Sequence, residues 1–308
     1  MAKHFLSLLD FTPDDLHRSL ELASSLGADR RARRISPHGS ALAGRQVGLL
    51  FEKPSLRTRV TFTIGIGELG GSFVDIPSDV MHADREPLHD VSRNLERWVD
   101  AVVIRTFAQA RLSIFTDSAP QLRIVNALSD EEHPCQALAD MLTLRERWGA
   151  IAGRTLAFVG DGNTVATSFV HAGLMLGAHV RVATPKAYAL PAEVGAAAER
   201  IAVGGAELTQ YVDPKEAVAG ADAVYTDVWT SMGQEVEYAE RNKIFSPYQV
   251  NGALMARAKA GAIFMHCLPA HRGQEVTDEV IESAASVVFD QAENRLHAQK
   301  AMLVTLFS

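Results

Sequence analysis

Short unbroken apolar runs alternate along this chain with longer stretches whose apolar residues recur every third or fourth position. The first pattern predicts buried parallel strands and the second amphipathic helices. Thr12-Pro13-Asp14-Asp15, followed by Leu16, Leu20, Leu22 and Ala23, predicts a capped helix that ends near Gly27. Strands are expected at about 46–52, 72–76, 101–105 and 124–126. Helices are expected at about 57–68, closed by Gly70-Gly71, and at 88–98, with Val91, Leu95 and Trp98 on one face. Another opens at His133-Pro134-Cys135-Gln136 and carries Leu138, Met141, Leu142 and Leu144. Residues 79–86 read as a polar loop. A second series starts with a strand at 155–160 and a helix at 165–176. Strands follow at 180–184, 223–228, 262–266 and 286–289, then a helix at 291–303.

This alternation predicts an α/β fold of two domains, each with a central parallel sheet flanked by helices. The expected boundaries are 1–145 and 146–290, with a C-terminal helix at about 291–308 packing back on the first domain. A chain of 308 residues suits two cores, and its 47% hydrophobic content is ordinary for globular domains. The net charge of −7 argues against a general nucleic-acid surface. Arg30, Arg31, Arg33 and Arg34 form a short basic run that reads as a solvated loop. No apolar run reaches the ~18 residues of a membrane span, and the N-terminus lacks the apolar core of a signal peptide. The two cysteines, Cys135 and Cys267, fall in no disulfide framework. A reducing compartment, hence the cytoplasm, is expected.

The chemistry concentrates at the end of the first strand. Pro54 stops it, Ser55 can cap the next helix, and Leu56, Arg57, Thr58 and Arg59 fill the first turn. Free backbone N–H groups, hydroxyls and guanidiniums at one helix N-terminus suit a phosphate-like dianion. Arg57, Arg105 and Arg295 each close or follow a strand-like stretch, and surface ion pairing is the competing reading for any one of them. Arg59 is the most structural of the set, because it points elsewhere on the helix than Arg57. His133 and Gln136 share a helix face and can both donate to a carbonyl oxygen; a capping histidine is the alternative.

In the second domain Asp227, Ser231 and Met232 lie in Tyr-Thr-Asp-Val-Trp-Thr-Ser-Met-Gly, where Asp227 can hold a cationic amine. Cys267 and Leu268 follow His266 at a strand end. A zinc site from His133, Cys135, His266 and Cys267 has the wrong spacing, and a Cys–His nucleophile is weakened because strand neighbours face opposite ways. The Gly160-Asp161-Gly162 turn lacks dinucleotide spacing.

These segments resemble the ornithine branch of the aspartate/ornithine carbamoyltransferase superfamily. The matches are Phe-Glu-Lys-Pro-Ser-Leu-Arg-Thr-Arg at 51–59, Val-Ile-Arg-Thr at 103–106 and His-Pro-Cys-Gln-Ala-Leu-Ala-Asp at 133–140. Others are Asp-Val-Trp-Thr-Ser-Met-Gly-Gln-Glu at 227–235, Met-His-Cys-Leu-Pro-Ala-His-Arg-Gly at 265–273 and Phe-Asp-Gln-Ala-Glu-Asn-Arg-Leu-His-Ala-Gln-Lys at 289–300. The resemblance implies transfer of the carbamoyl group of carbamoyl phosphate to the δ-amine of L-ornithine, giving L-citrulline and phosphate, without cofactor or metal. It implies a carbamoyl phosphate site of Ser55, Leu56 through its backbone, Arg57, Thr58, Arg105, His133, Gln136 and Arg295, with Cys267 and Leu268 nearby. The implied catalytic set is Arg105, His133, Gln136, Asp227 and Cys267, and Asp227, Ser231 and Met232 would hold ornithine. The implied assembly is a homotrimer with shared active sites. The direction of the reaction, in arginine biosynthesis or in breakdown, stays open.

Two departures from the family pattern matter. The family usually has Asn where Thr164 stands, and that Asn helps bind the α-amino and carboxylate groups of ornithine. Where Met81 stands the family usually has Gln or His reaching a neighbouring subunit, and the adjacent His82 is the substitute expected to take that role. Thr164 keeps open a carbamoyltransferase for another amine, such as putrescine or a modified ornithine. Together the departures keep open a non-catalytic, metabolite-binding paralogue.

Overall fold

The computed structural model describes residues 3–82, 86–231, 233 and 235–308. It divides into two compact units, one of 1–142 with 293–308 and the other of 143–292.

The first unit contains α1 (Pro13–Arg31), β1 (Gln46–Phe51), α2 (Leu56–Glu68), β2 (Ser72–Ile76) and α3 (Leu88–Trp98). It continues with β3 (Ala101–Arg105), α4 (Gln109–Ser118), β4 (Arg123–Leu128) and the start of α5 (Pro134–Trp148). Its four strands are all parallel in the order β2-β1-β3-β4. β1 and β3 occupy the centre, so every residue of Ala101–Arg105 is buried, the charged Arg105 included. Phe51 and Arg105 stand side by side, which puts the carboxyl ends of both central strands at one edge, where open α/β sheets place ligands.

The second unit contains β5 (Thr155–Val159), α6 (Thr164–Met175), β6 (His179–Ala183), α7 (Ala192–Ile201), β7 (Leu208–Tyr211), α8 (Pro214–Val218) and β8 (Ala223–Thr226). It continues with α9 (Tyr238–Phe245), α10 (Gly252–Met255), β9 (Ile263–His266), α11 (Asp278–Ile281) and the first turn of α12 (Val288–Phe307). This sheet is also parallel, in the order β7-β6-β5-β8-β9. Phe158, Phe169 and Tyr225 pack ring against ring at its centre. The two-sheet α/β architecture is the one the alternating pattern predicts. No helix among the described residues is long and apolar enough to cross a membrane.

Several elements differ from the sequence expectation for identifiable reasons. α1 does not stop at Gly27 but runs to Arg31, with Gly27 buried in its interior. A Cβ at Gly27 would lie 3.0 Å from the His297 ring, so the glycine serves close helix packing rather than termination. On α3, Val91 and Leu95 are buried but Trp98 is exposed, off the expected face. The expected strand at 286–289 is a single bridge from Ser286 to Phe264, and Val288 already opens α12. α4 and β7 were not anticipated: α4 has weak amphipathic patterning, and β7 is a partly exposed edge strand with no apolar run.

Candidate active site

In the first unit two helix starts, the interior of a third helix and one strand end supply the candidate residues. Ser55 is the N-cap of α2, and its hydroxyl accepts from Thr58 N–H at 3.2 Å. Leu56, the first helical residue, is 74% exposed, so its side chain contributes nothing to the core and its backbone is the part presented. Thr58 is buried, and its hydroxyl accepts from Arg295 Nη2 at 2.7 Å. Arg295 Nη1 donates to Gln136 Oε1 at 2.7 Å, and Gln136 in turn donates to Asp140 Oδ1 at 2.8 Å. A residue near the end of the chain thus ties the first turn of α2 to the first turn of α5. Gly65 makes this approach close: a Cβ there would lie 3.1 Å from Lys300 Cγ and 3.5 Å from Leu296 Cδ1. Lys300 also pairs with Glu68 at 2.6 Å, clamping α12 on α2.

His133 precedes α5, and its carbonyl accepts from Gln136 and Ala137 N–H groups. The loop before it is fixed by Ser129 N–H donating to Glu132 O at 3.0 Å, and by the Glu132 carboxylate accepting from the Ser7 hydroxyl and Leu8 N–H. Burial first, then the charges of Arg295, Arg105 and Arg57, hold the His133 pKa well below its ordinary value. The imidazole is therefore neutral at neutral pH, with one N–H donor and one acceptor nitrogen. The same three arginines produce a strongly positive field, which suits a dianion and opposes another cation.

The neighbouring residues hold this geometry. Glu52 N–H donates to Arg105 O at 2.9 Å, and its carboxylate accepts from Thr106 and Arg111. Arg59 is structural, as its spacing suggested: it pairs with Asp75, and its guanidinium lies 4.6 Å over the Phe51 ring. Cys135 is fully buried, donates to Asn126 O at 3.3 Å, and has a thiol pKa pushed up to about 12 by burial. It has neither the exposure nor the thiolate character of a nucleophile. Met81 is buried in a cluster with Leu50, Val91 and Leu95, so its side chain is committed to its own unit and is not the outward-reaching group. His82 beside it is exposed.

The second unit gathers a different chemistry. Asp227, just beyond β8, accepts from Asn163 Nδ2 at 2.9 Å and from Cys267 Sγ at 2.9 Å, one on each carboxylate oxygen. Asn163 is also the N-cap of α6, its side-chain oxygen accepting from Val165 and Ala166 N–H. Thr164 is the first residue of that helix and is partly buried. Gly162 lets this loop approach its neighbour, since a Cβ would lie 2.6 Å from Leu190 N. Ser231 is partly buried four residues beyond Asp227, and Met232 lies outside the described residues.

His266 Nδ1 accepts from Leu268 N–H at 2.9 Å, so the neutral ring carries its proton on Nε2, which faces Glu275 Oε1 at 3.2 Å. Leu268 has a left-handed φ of 56°. Asp227, His266 and Cys267 place metal-type donor atoms within 4.8 Å of one another. Their hydrogen bonds occupy both imidazole nitrogens and set the thiol against the carboxylate, which favours a hydrogen-bonded cluster over a ligand set.

Sequence reasoning missed Asn163 as a partner of Asp227, and it missed Asp161 and Arg241. Asn163 had a usable signal, an Asn directly before a helical run. Arg241 had none, because it lies in a charged stretch that reads as solvated surface.

The aspartate/ornithine carbamoyltransferase carbamoyl-P binding domain matches residues 3–146, and the corresponding Asp/Orn binding domain matches residues 152–306. An ornithine carbamoyltransferase of Rhodococcus opacus is 49% identical over 312 residues, covering 100% of this chain and 97% of its own. One from a Nostoc species is 46% identical over 307 residues, covering 99% and 97%. The solved ornithine carbamoyltransferase of Pyrococcus furiosus superposes with a TM-score of 0.92 at 45% identity, covering 97% of this chain and 95% of that one. With both domain models matched in order and relatives near half identical end to end, the chain belongs to the aspartate/ornithine carbamoyltransferase family.

Proposed function

We propose that the cation-rich site of the first unit binds carbamoyl phosphate and that the Asp227 cluster of the second unit binds L-ornithine. The enzyme transfers the carbamoyl group from the first to the second, giving L-citrulline and phosphate. The observation that best supports the phosphate assignment is the Arg295 fork between Thr58 and Gln136, beside a histidine kept neutral by burial first and then by three arginines.

In this reading Ser55, Thr58, Arg57 and the backbone at Leu56 take the phosphate oxygens at the α2 N-terminus. Arg105, His133 and Gln136 donate toward the carbonyl oxygen, with Arg295 holding Gln136 in place. The neutral δ-amine attacks the carbonyl carbon, and negative charge builds on the oxygen these donors face. Collapse of the tetrahedral intermediate breaks the bond to the bridging phosphate oxygen. The amine proton leaves with the phosphate, so no strong side-chain base is required. Asp227 and Cys267 orient the reacting amine; Ser231 and Met232 complete the amino-acid site with Thr164 at the position of the family Asn.

Thr164 is the feature that favours a second reading, a different amine as acceptor. A hydroxyl at the first residue of α6 offers fewer donors and acceptors than an amide. Steady-state carbamoylation with L-ornithine, putrescine, N-acetylornithine and L-lysine at fixed carbamoyl phosphate separates the readings. Preference for L-ornithine supports the first; preference for another amine transfers the function to a sister activity. No turnover with any of them, despite carbamoyl phosphate binding, supports a non-catalytic paralogue.

The assembly proposed is a homotrimer in the cytoplasm. Leu56, Val60 and Ile64 are exposed at i, i+4, i+8 spacing along α2, and Phe73 and Val74 are exposed on edge strand β2. An apolar stripe beside an open strand edge suits contact with another subunit. His82 is the residue proposed to reach across. Sedimentation analysis of the purified protein gives the trimer or replaces it, and unchanged carbamoyl phosphate affinity and turnover in H82A would remove His82 from the site.

A further inference from the structure

The second unit contains a buried cation that the transfer chemistry does not touch. Arg241, on α9, is 2% exposed. Its Nη2 pairs with Asp161 Oδ2, and its Nε donates to Trp229 O at 2.5 Å. The guanidinium lies 4.6 Å over the Tyr188 ring and 5.2 Å over that of Phe245, with Glu237 Oε2 3.5 Å from Nη1. Removing such a charge from water is costly, and apolar residues would fill the space at less expense. What a guanidinium adds is a rigid plane with donors in fixed directions.

Those directions are informative. Asp161 stands two residues before Asn163, which donates to Asp227, and three before Thr164. Trp229 stands midway between Asp227 and Ser231. One side chain therefore binds together the 161–164 loop and the 227–231 loop, the two that carry the proposed amino-acid contacts.

We infer that Arg241 is the positioning residue of the amine site, fixing the spacing of these two loops so that Asp227, Thr164 and Ser231 meet one substrate. This rests on the reading of those loops as the ornithine site. Arg241 touches no substrate; it acts through Asp161 and the Trp229 carbonyl. A lysine could satisfy Asp161 as a point charge but not hold both partners in one plane.

The test compares full-length wild type, R241K and D161N, with KM and kcat measured separately for L-ornithine and carbamoyl phosphate. The expected result for R241K is a rise in ornithine KM of about tenfold to a hundredfold with carbamoyl phosphate KM within about twofold. D161N moves the same parameter in the same direction by less. Amide hydrogen exchange, measured without substrate, is expected to accelerate at 161–164 and 227–231 ahead of the rest of the unit. An ornithine KM within about twofold of wild type in R241K overturns the inference. A parallel rise in both KM values, or exchange accelerated throughout the second unit, also overturns it, since a general folding role produces those. If R241K does not fold, D161N decides by the same readouts. If wild type does not carbamoylate ornithine, the substrate reading fails on its own account. Hydrogen exchange then decides the coupling, and unchanged exchange at the two loops overturns it.

Discussion

The two proposed substrate sites are built on opposite electrostatic plans. In the first unit Arg57, Arg105 and Arg295 act together on a buried neutral His133, a concentration of like charge held by α2, β3, α5 and α12. In the second unit Asp161 faces Arg241, and the Asp227 carboxylate is met by two neutral donors, an amide and a thiol. In the proposed reading a dianion bound at the first site offsets the field of these arginines on His133, so its ligand should also stabilise the fold. The second sets a carboxylate among neutral donors, so its selectivity depends on that charge and on where the loops hold their donors and acceptors.

The largest effect expected from breaking this contrast is at Arg105. In the proposed mechanism R105M removes a donor to the developing oxyanion and one of the three charges beside His133. Loss of about a hundredfold to a thousandfold in kcat is expected, and stabilisation by carbamoyl phosphate in a thermal melt should shrink as well. Retention of kcat within about threefold would remove Arg105 from the transition state. D227N is the counterpart in the second unit. It keeps the size of the side chain but removes its charge, with about a hundredfold loss in kcat/KM for ornithine expected. The thermal shift given by carbamoyl phosphate should survive, because Asp227 is no part of the cation site. Loss of that shift in D227N would show that the two plans are not independent.

The contrast also explains what could be read from the chain alone. Each contributor to the proposed phosphate site lies in a contiguous motif: a cap and Arg57 after a strand, Arg105 at a strand end, a histidine and glutamine at a helix start, and Arg295 inside the last helix. Helix periodicity and N-terminal physics are local, so these candidates could be named from 51–59, 103–106, 133–140 and 289–300. The parallel sheets were legible for the same reason, since β1, β3 and β5 are nearly continuous apolar runs. The proposed amine site depends on contacts between distant loops. Nothing in Glu237–Lys243 marks Arg241 as buried, and nothing near Asn163 names Asp227 as its partner. Gly27 misled because a glycine needed for packing against His297 looks the same in sequence as one ending a helix. Met81 misled in another way, its position in a polar segment hiding its place in the core.

A smaller effect sharpens the second plan. T164N restores the amide at the start of α6. If Thr164 is a tolerated loss, ornithine KM should fall by about threefold to tenfold, the effect of roughly one hydrogen bond, with kcat and carbamoyl phosphate KM unchanged. A rise in ornithine KM, with a gain for the same variant on another amine, would instead mean that the threonine selects a different substrate.

The smallest effect concerns the first plan and appears as pH dependence of stability. The folded-state pKa of His133 is depressed, by burial and then by the arginines, relative to its ordinary 6.5. In the unfolded chain the imidazole takes up a proton below about pH 6.5, whereas in the folded protein it resists. Its contribution is therefore fully present above 6.5 and is lost as pH falls through the depressed folded value. Over that window the slope reaches about 1.4 kcal/mol per pH unit for one proton. H133Q, which cannot titrate, should lose this part of the slope, while other depressed histidines such as His4 and His297 keep theirs in both proteins. Urea unfolding of wild type and H133Q between pH 5 and 7.5 gives the difference directly. Saturating phosphate should flatten the wild-type slope, because a bound dianion offsets the field of Arg295, Arg105 and Arg57. Identical slopes in the two proteins would mean that His133 is not held neutral by its surroundings, and would withdraw the hydrogen-bonding role given to it at the carbonyl oxygen.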